Sequence, residues 1–430
     1  MRTWNSPQIT PLPASGIAPR LHDTRTGRTA PVVPADPRTA RIYVCGITPY
    51  DSTHMGHAMT YHAADLMRRV YRDAGYEVEV AQNITDVDDP LFERAQRDGV
   101  DWRELADSQV ELFASDMEAL RIIAPETYRS VSESMDEIIA AAERLHARGR
   151  LYALENEDAE GVDWYLDLGV DGALGNTCGW SPQQMLDVFA ERGGDPERLG
   201  KRNPFDPLVW RAERPGEPAW DTDGLGRGRP GWHIECVCIA EDGLGLPFDL
   251  QTGGRDLIFP HHDLSNAHAV ALGHGFAGAY AHTGMVALDG EKMSKSLGNL
   301  VFISRLRANG VDAAAVRIVL LGHHYRSDWE WTDDELALGV QRLERYRAAA
   351  RTGDRSARTV AALRAALRDD LDTPTALIAL DTWARIATAD DTTRDASAAD
   401  SDSADIGPTG DAPDDVVAAV DALLGVDLLA

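Results

Sequence analysis

Lysine is almost absent from this chain. Of 42 basic residues in 430, only Lys201, Lys292 and Lys295 are Lys, which leaves 39 Arg. Two of the three fall in Glu291-Lys-Met-Ser-Lys-Ser296. A compact, mobile ammonium is therefore wanted at that stretch, in a chain that elsewhere uses the planar guanidinium fork. Positive charge as a whole is scarce, and the formal net charge is −28. From Ile386 to Ala430 there are eleven Asp and one Arg, which gives −10 and leaves −18 for the rest. Non-specific affinity for nucleic acid rests on Lys and Arg neutralising phosphates, so this balance argues against a large footprint on tRNA. A generally acidic proteome is the competing explanation.

Cysteine is also sparse. Cys45, Cys178, Cys236 and Cys238 are too few for a disulfide framework, and no C-x-x-C pair marks a zinc ribbon or finger. No window approaches the ~18 uninterrupted apolar residues of a membrane span. The opening MRTWNSPQITPLPASG lacks the apolar stretch of a secretory signal, so a cytoplasmic protein is expected.

What is present reads as α/β. The length suits roughly two to four domains, and 43% hydrophobic residues is ordinary for a globular chain. Residues 1–40 read as extended or looped. Arg41–Cys45 reads as a strand. A helix runs from near Gly56 through Ala63, Leu66, Met67 and Val70 and stops at Gly75. Glu77–Gln82 alternates as a second strand, so the opening is that of a parallel sheet. Residues 91–150 read as mostly helical, 151–230 as an irregular insertion, and strands resume at Phe248–Gln251 and Met285–Leu288. Residues 333–385 read as helical, 387–413 as acidic and disordered, and Val416–Leu429 as a last helix. The expected division is a two-part catalytic unit over 1–110 and 226–300, an inserted connective region over 111–225, a loop and stem-contact region over 301–340, and a helical C-terminal region over 341–430.

Three constellations carry chemistry. His54-x-Gly56-His57 falls between a strand and a helix, where free N–H groups and the dipole suit phosphate and Gly56 permits close approach. Two imidazoles there can donate to phosphate oxygens as charge develops. Lys292 and Lys295, in a Gly-bounded loop, suit a clamp on the β and γ phosphates of ATP. Cys45, Cys236 and His261 from distant segments suit a zinc site with one position open; buried thiols and a satisfied histidine are the bland alternative.

Together these residues resemble class I aminoacyl-tRNA synthetases, cysteinyl-tRNA synthetase above all. The resemblance covers residues 25–340 and includes Tyr43-Val-Cys-Gly46, His54-Met-Gly-His57, Asn83-Ile-Thr-Asp-Val-Asp-Asp89, Gly200-Lys-Arg-Asn-Pro204, Gly231-Trp-His-Ile-Glu-Cys236, Gly253-Gly-Arg-Asp256, Phe259-Pro-His-His262 and Lys292-Met-Ser-Lys-Ser296. It implies a Rossmann-type (HUP) nucleotide-binding fold with an inserted connective domain and a C-terminal helical domain. It implies one zinc per chain on Cys45, Cys236 and His261, with Ser265 standing where the synthetase has a Glu ligand. Catalysis falls to His54, His57, Lys292 and Lys295. The cysteine and adenylate contacts fall to Cys45, Gly46, Ile47, Thr48, Thr60, Asn83, Ile84, Thr85, Trp232, Gly254, Arg255, Asp256 and Leu288. Cys238, by side-chain alternation, is not an extra ligand.

Some departures point away from tRNA. Pro90-Leu91 replaces the usual Lys after Asp89, the chain is short beyond Lys295, and its end is acidic. These, with Glu191-Arg-Gly-Gly-Asp-Pro196, resemble the actinobacterial mycothiol ligases, paralogues of the synthetase that join cysteine to the amine of glucosaminyl-inositol. That resemblance implies L-cysteine, ATP with Mg2+, and an amino sugar-inositol as substrates, no tRNA, no membrane, and a monomer. Cysteine is activated as cysteinyl-AMP and then transferred to the amine, with Asp86, Asp88 and Asp89 as candidate bases. A true cysteinyl-tRNA synthetase and an inactive paralogue are the alternatives.

Overall fold

The computed structural model describes residues 3–50, 53–156, 161–288, 290–293, 299–389 and 414–430, with Lys292 given by its backbone alone. Lys295 and residues 390–413 lie outside these, so the loop clamp and most of the expected disordered segment do too. Ala387, assigned from sequence to that segment, instead ends a helix and is buried.

The centre is a parallel sheet of five strands. A short antiparallel hairpin, β1 (Arg20–Asp23) and β2 (Arg28–Pro31), precedes it. β3 (Thr39–Val44) then leads into α1 (Met55–Ala74) and β4 (Glu77–Ile84). α2 (Asp89–Asp98) and α3 (Trp102–Ala119) cross to β5 (Thr127–Ser130), which α4 (Met135–Ala147) follows. β6 (Leu151–Glu155), β7 (Val162–Leu166), β8 (Leu208–Ala212) and β9 (Gly228–Pro230) form a separate antiparallel sheet, with α5 (Pro182–Phe189) between β7 and β8. α6 (Trp232–Leu244), β10 (Phe248–Gly254), α7 (Asp263–Ala271) and β11 (Ala277–Thr283) return the chain to the centre. The central order is β11-β10-β3-β4-β5. Succession runs one way from β3 through β4 to β5 and the other way from β10 to β11, so β3 and β10 flank the switch point. A crevice opens there beyond the strand ends, where open α/β sheets bind ligands.

The sequence reading differs from this in four places, each with a physical reason. β1 and β2 lie in the stretch read only as extended or looped, and β5 within the 91–150 stretch read as mostly helical; strands of four residues offer too few alternations to register. β5 pairs with β4 from Ala81↔Thr127 to Ile84↔Ser130, so the central sheet extends into the range expected as insertion. The 151–230 stretch is a regular sheet whose strands are separated by Gly- and Pro-rich links that hid them. The returning strand is β11, whereas β12 (Val286–Leu288) joins β13 (Glu291–Lys292) and β14 (Trp329–Glu330) in a small sheet of its own.

α1 is the hub. His54 caps its start and Gly75, at φ 101°, ends it with N–H bonds to Arg72 and Tyr71 carbonyls, a geometry that favours glycine. One face lies on the sheet and the other receives α9 (Ala313–Leu321) and the last helical turn, Val420–Leu424, which continues directly from Val416–Ala419. Burial on all sides encloses a charged knot. Asp65 accepts from Arg69 Nε at 2.7 Å, from Arg317, and from the Ile123 N–H at 3.0 Å. Arg69 and Arg317 also donate to the carbonyls of Asp421, at 2.8 Å, and Leu424, at 2.6 Å. The knot thus ties the C-terminal segment to α1. α10 (Asp333–Arg351), α11 (Ala357–Arg368) and α12 (Thr373–Ala387) pack beyond it. Among the described residues, no helix is long and apolar enough to cross a membrane.

Burial alone would raise the Asp65 pKa, but Arg69 and Arg317 hold it below the ordinary carboxylate range. The stabilisation is therefore present above the unfolded-state carboxylate pKa and is lost only as pH falls below it, through the depressed folded value. Asp65→Asn leaves two buried guanidiniums uncompensated and should cost about 3–5 kcal/mol in denaturant unfolding at neutral pH. A loss within about 0.5 kcal/mol would contradict this reading of the knot.

Candidate functional site at the sheet switch point

Cys45 directly follows the last residue of β3, which delivers its thiol to the crevice. Next to it, Gly46 is obligatory: a Cβ there would stand 1.5 Å from the Asn83 carbonyl oxygen. Asn83 holds the turn from below, its Oδ1 accepting the Gly46 N–H at 2.8 Å and the Tyr43 hydroxyl at 3.1 Å, while its Nδ2 donates to Thr85 Oγ1 at 3.0 Å. Asn83, Ile84 and Thr85 are buried beneath the turn and support it from outside the crevice wall.

Cys236 comes from the first turns of α6, and His261 from the irregular helical turn Ile258–His262 after β10. The two sulfurs are 3.9 Å apart, His261 Nε2 is 3.2 Å from Cys236 Sγ, and the three donor atoms lie within 4.8 Å of one another, all on buried residues. Two thiolates on one tetrahedral zinc at ~2.3 Å each would stand roughly 3.8 Å apart, so the donor set fits a soft divalent ion. Burial pushes the Cys45 thiol pKa well up. The hydrogen bond from Cys45, with the nearby His261, holds Cys236 well down as the thiolate.

Around these donors lies a shell that the sequence reading missed. His233 Nδ1 is 3.3 Å from His261 Nδ1, which leaves His261 Nε2 to face the sulfur. Orientation through the second ring nitrogen is how histidine ligands are commonly fixed. Trp232 stacks on His261 at 4.2 Å between centroids. His262 Nε2 is 3.2 Å from Cys45 Sγ, and its Nδ1 meets His282 Nε2 at 2.7 Å. Burial drives the pKa of both His262 and His282 down, so they are neutral at pH 7. The sequence had already picked His261 as the ligand by resemblance, and the place of its neighbour His262 against Cys45 needed the fold. Ser265, where a fourth ligand would be expected, donates to the His233 carbonyl at 3.2 Å. Cys238 is set apart for a different reason from the one read in sequence: on a helix, two residues turn a side chain by about 200°.

From this cluster a cavity of about 870 Å³ runs toward the start of α1. Cys45, Gly46, Ile47, Thr48, Trp232 and His233 line its inner part, and His57, Thr60, Gly254 and Asp256 the side toward α1 and the end of β10. His54 accepts the Gly56 N–H at 3.1 Å and stacks on His57 at 3.7 Å, so the two imidazoles form one platform at the helix start. Thr60 Oγ1 bonds Thr283 Oγ1 at 3.1 Å, which joins α1 to the end of β11. Gly254 closes β10, and a Cβ there would meet Asp256 Oδ1 at 2.6 Å. Two expected contacts are placed elsewhere. Arg255 turns away to pair with Asp328 at 2.9 Å and the Arg326 carbonyl at 2.7 Å, and Leu288 sits on β12, outside the lining. The far wall belongs to the antiparallel sheet and its links, including Glu191–Asp195. Arg192 reaches across to the carbonyls of Asp256, at 3.0 Å, and Phe259, at 2.6 Å, and so clasps the insertion to the segment after β10.

Comparisons with known proteins agree with this arrangement. The family model described as the catalytic domain of class I tRNA synthetases (C) matches residues 31–341. The L-cysteine:1D-myo-inositol 2-amino-2-deoxy-alpha-D-glucopyranoside ligase of Brachybacterium faecium is 68% identical over 428 residues, covering 100% of both chains. The ligase of the same name from Kineococcus radiotolerans is 52% identical over 434 residues, again with 100% of both covered. Among solved structures, a Mycobacterium tuberculosis methionyl-tRNA synthetase bound by methionyl-adenylate superposes with a TM-score of 0.59 at 16% identity, covering 84% of this chain and 87% of that one. That likeness shows a shared fold.

The site makes a direct prediction about metal content. Purified protein should hold one tightly bound divalent metal ion per chain, matching the one such cluster among the described residues, Cys45/Cys236/His261. Cys236→Ala should lose it. Cys178→Ala should keep it, because Cys178 Sγ accepts the Trp180 N–H at 3.5 Å and takes no part in the cluster. Full metal content in Cys236→Ala, by elemental analysis, would sink the assignment.

Proposed function

Since the chain belongs to the family of class I tRNA synthetase (C) catalytic domains, we propose that it is an ATP-dependent ligase that activates L-cysteine as cysteinyl-AMP and transfers it to the amine of glucosaminyl-inositol, the two substrates for which its relatives are named, in the amide-forming step of mycothiol assembly. The observation that carries this reading is the buried Cys45/Cys236/His261 cluster opening into the switch-point cavity, in a chain aligned end to end with a ligase of that name. Cys45, Cys236 and His261 would hold zinc, a Lewis acid whose affinity for sulfur favours cysteine over serine and alanine.

The chain's own groups supply the rest. Trp232 walls the amino-acid end, and His233 keeps His261 in the orientation its role needs. Gly46 and Thr48 border the path from thiol to carboxylate. Gly254 and Asp256 lie where the ribose of ATP would sit, beyond the ends of β10 and β3. His54 and His57, at the N-terminus of α1, add donors and a positive dipole end for the α-phosphate, which gains charge as the cysteine carboxylate attacks it. Lys292 and Lys295 are assigned by resemblance to the departing pyrophosphate, with Mg2+ accompanying the nucleotide. A neutral or cationic amino sugar has no need of a basic groove, which suits a net charge of −28.

Cysteine and ATP alone should support exchange of labelled pyrophosphate into ATP, and serine should not. Lys295→Ala should slow that exchange by about two to three orders of magnitude. Glucosaminyl-inositol should then release AMP stoichiometrically with amide. Cysteinylation of tRNA at low salt, where attraction to a polyanion is greatest, with no turnover of the amino sugar, would return the chain to the synthetases.

A further inference from the structure

The transfer step needs a proton acceptor. An amino sugar arrives at neutral pH largely as an ammonium, and a nitrogen without a free lone pair cannot attack a carbonyl. Three carboxylates follow β4, and their surroundings separate them. Asp86 is spent on Ser132, accepting its N–H at 2.9 Å and its hydroxyl, and does not line the cavity. Asp89 is exposed and paired with Arg211, at 2.9 Å, and with Arg229. Asp88 differs from both. It is half-buried, lines the cavity, accepts Thr48 Oγ1 at 3.1 Å and the Asp89 N–H at 3.0 Å, and makes no ion pair among the described residues.

A second observation marks the same wall as a place for a cation. Glu235, on α6, also lines the cavity; it is buried, and its Oε2 has no hydrogen-bond partner among the described residues. An unsatisfied buried carboxyl oxygen is costly unless a ligand donor completes it. The wall between Thr48 and the antiparallel sheet therefore carries two carboxyl groups, Asp88 and Glu235, that face the cavity.

We propose that this wall receives the ammonium of the acceptor and that Asp88 is the base that takes its proton. This rests on the amide-forming reading above. Asp88 removes one proton from R–NH3+, and the freed lone pair forms the C–N bond at the carbonyl carbon of cysteinyl-AMP. The bond from that carbon to the phosphate oxygen then breaks, and AMP leaves with the electron pair. The surplus proton on nitrogen passes to the departing phosphate. Burial, with the neighbouring Asp89 charge, pushes Asp88 up to about 6 against the opposing pull of Thr48 and Arg229. A base with that value is mostly ionised at neutral pH yet strong enough to accept a proton. Asp89 and Arg229 are the charged groups that face it, and the Glu235 carboxyl lines the same cavity.

Asp88→Asn tests this while keeping the helix cap, since Asn caps α2 as well as Asp does. Pyrophosphate exchange reports activation, and amide formation with glucosaminyl-inositol reports transfer. The ratio of transfer to exchange should fall by about 10²–10⁴ in the variant. In the wild type, transfer should rise with pH through about 6, and the variant should lack that limb. Hydroxylamine, unprotonated at neutral pH, needs no base, so its trapping of the adenylate as hydroxamate should be slowed far less than amide formation. An unchanged transfer-to-exchange ratio, a retained acidic limb, or equal losses with both nucleophiles would overturn the assignment while the ligase reading stands. A wild-type protein that exchanges pyrophosphate but forms no amide would overturn the ligase reading and this assignment with it.

Discussion

Cys45, Cys236 and His261 must arrive within 4.8 Å of one another from the end of a strand, the start of a helix and an irregular turn, and much of the architecture serves that meeting. β3 has to end at Val44 beside β10, which the register Leu250↔Ile42 to Thr252↔Val44 ensures. The turn after β3 has to be tight, which demands Gly46 and the Asn83 brace. α6 has to begin where the antiparallel sheet hands the chain back, and Gly231 permits that close handover: a Cβ there would meet the Leu208 carbonyl oxygen at 2.0 Å. Bringing two thiols together unpaired in a dry interior is unfavourable, and Cys236 carries charge there. An ion that bonds all three donors removes the penalty, so metal binding and correct assembly of the crevice are linked.

The nucleotide side follows from the same topology. Winding outward from β3 in both directions leaves helix α1 pointing its N-terminus at the crevice, and its free N–H groups and the His54/His57 platform come with it. The thiol cluster and the His54/His57 platform thereby lie toward the two ends of one cavity. The distance between those ends is set by the sheet and by α1. α1 is itself fixed by the buried Asp65–Arg69–Arg317 knot that anchors the C-terminal turns, so a segment remote in sequence helps hold the catalytic helix in place.

Much of this was legible beforehand because it is local or because residue types are unusual. The strand at Arg41–Cys45, the helix stopped by Gly75, and the strand after it follow from periodicity and a single glycine. The Cys45/Cys236/His261 set stood out because cysteine is rare here. Non-local relations were hidden. β5 is too short to register as a strand, and β12 resembled a member of the central sheet because strand period does not encode partners. His233, His262 and His282 gained meaning only once the turn after β10 folded them around the sulfurs. Arg255 and Leu288 sat inside expected motifs, yet their side chains belong to packing outside the cavity lining. Asp88 could be separated from Asp86 and Asp89 only by seeing which carboxylate was already spoken for.

Cys45, Cys236 and His261 would hold a metal through two sulfurs and an imidazole, and such an ion would supply affinity for the sulfur of the substrate. X-ray absorption at the metal edge of the purified holoprotein measures this directly. Two sulfur scatterers and light-atom neighbours are predicted without substrate, in keeping with Cys45, Cys236 and His261, and a third sulfur on addition of cysteine but not of serine. A sulfur count unchanged by saturating cysteine, under conditions where pyrophosphate exchange is active, would contradict the account.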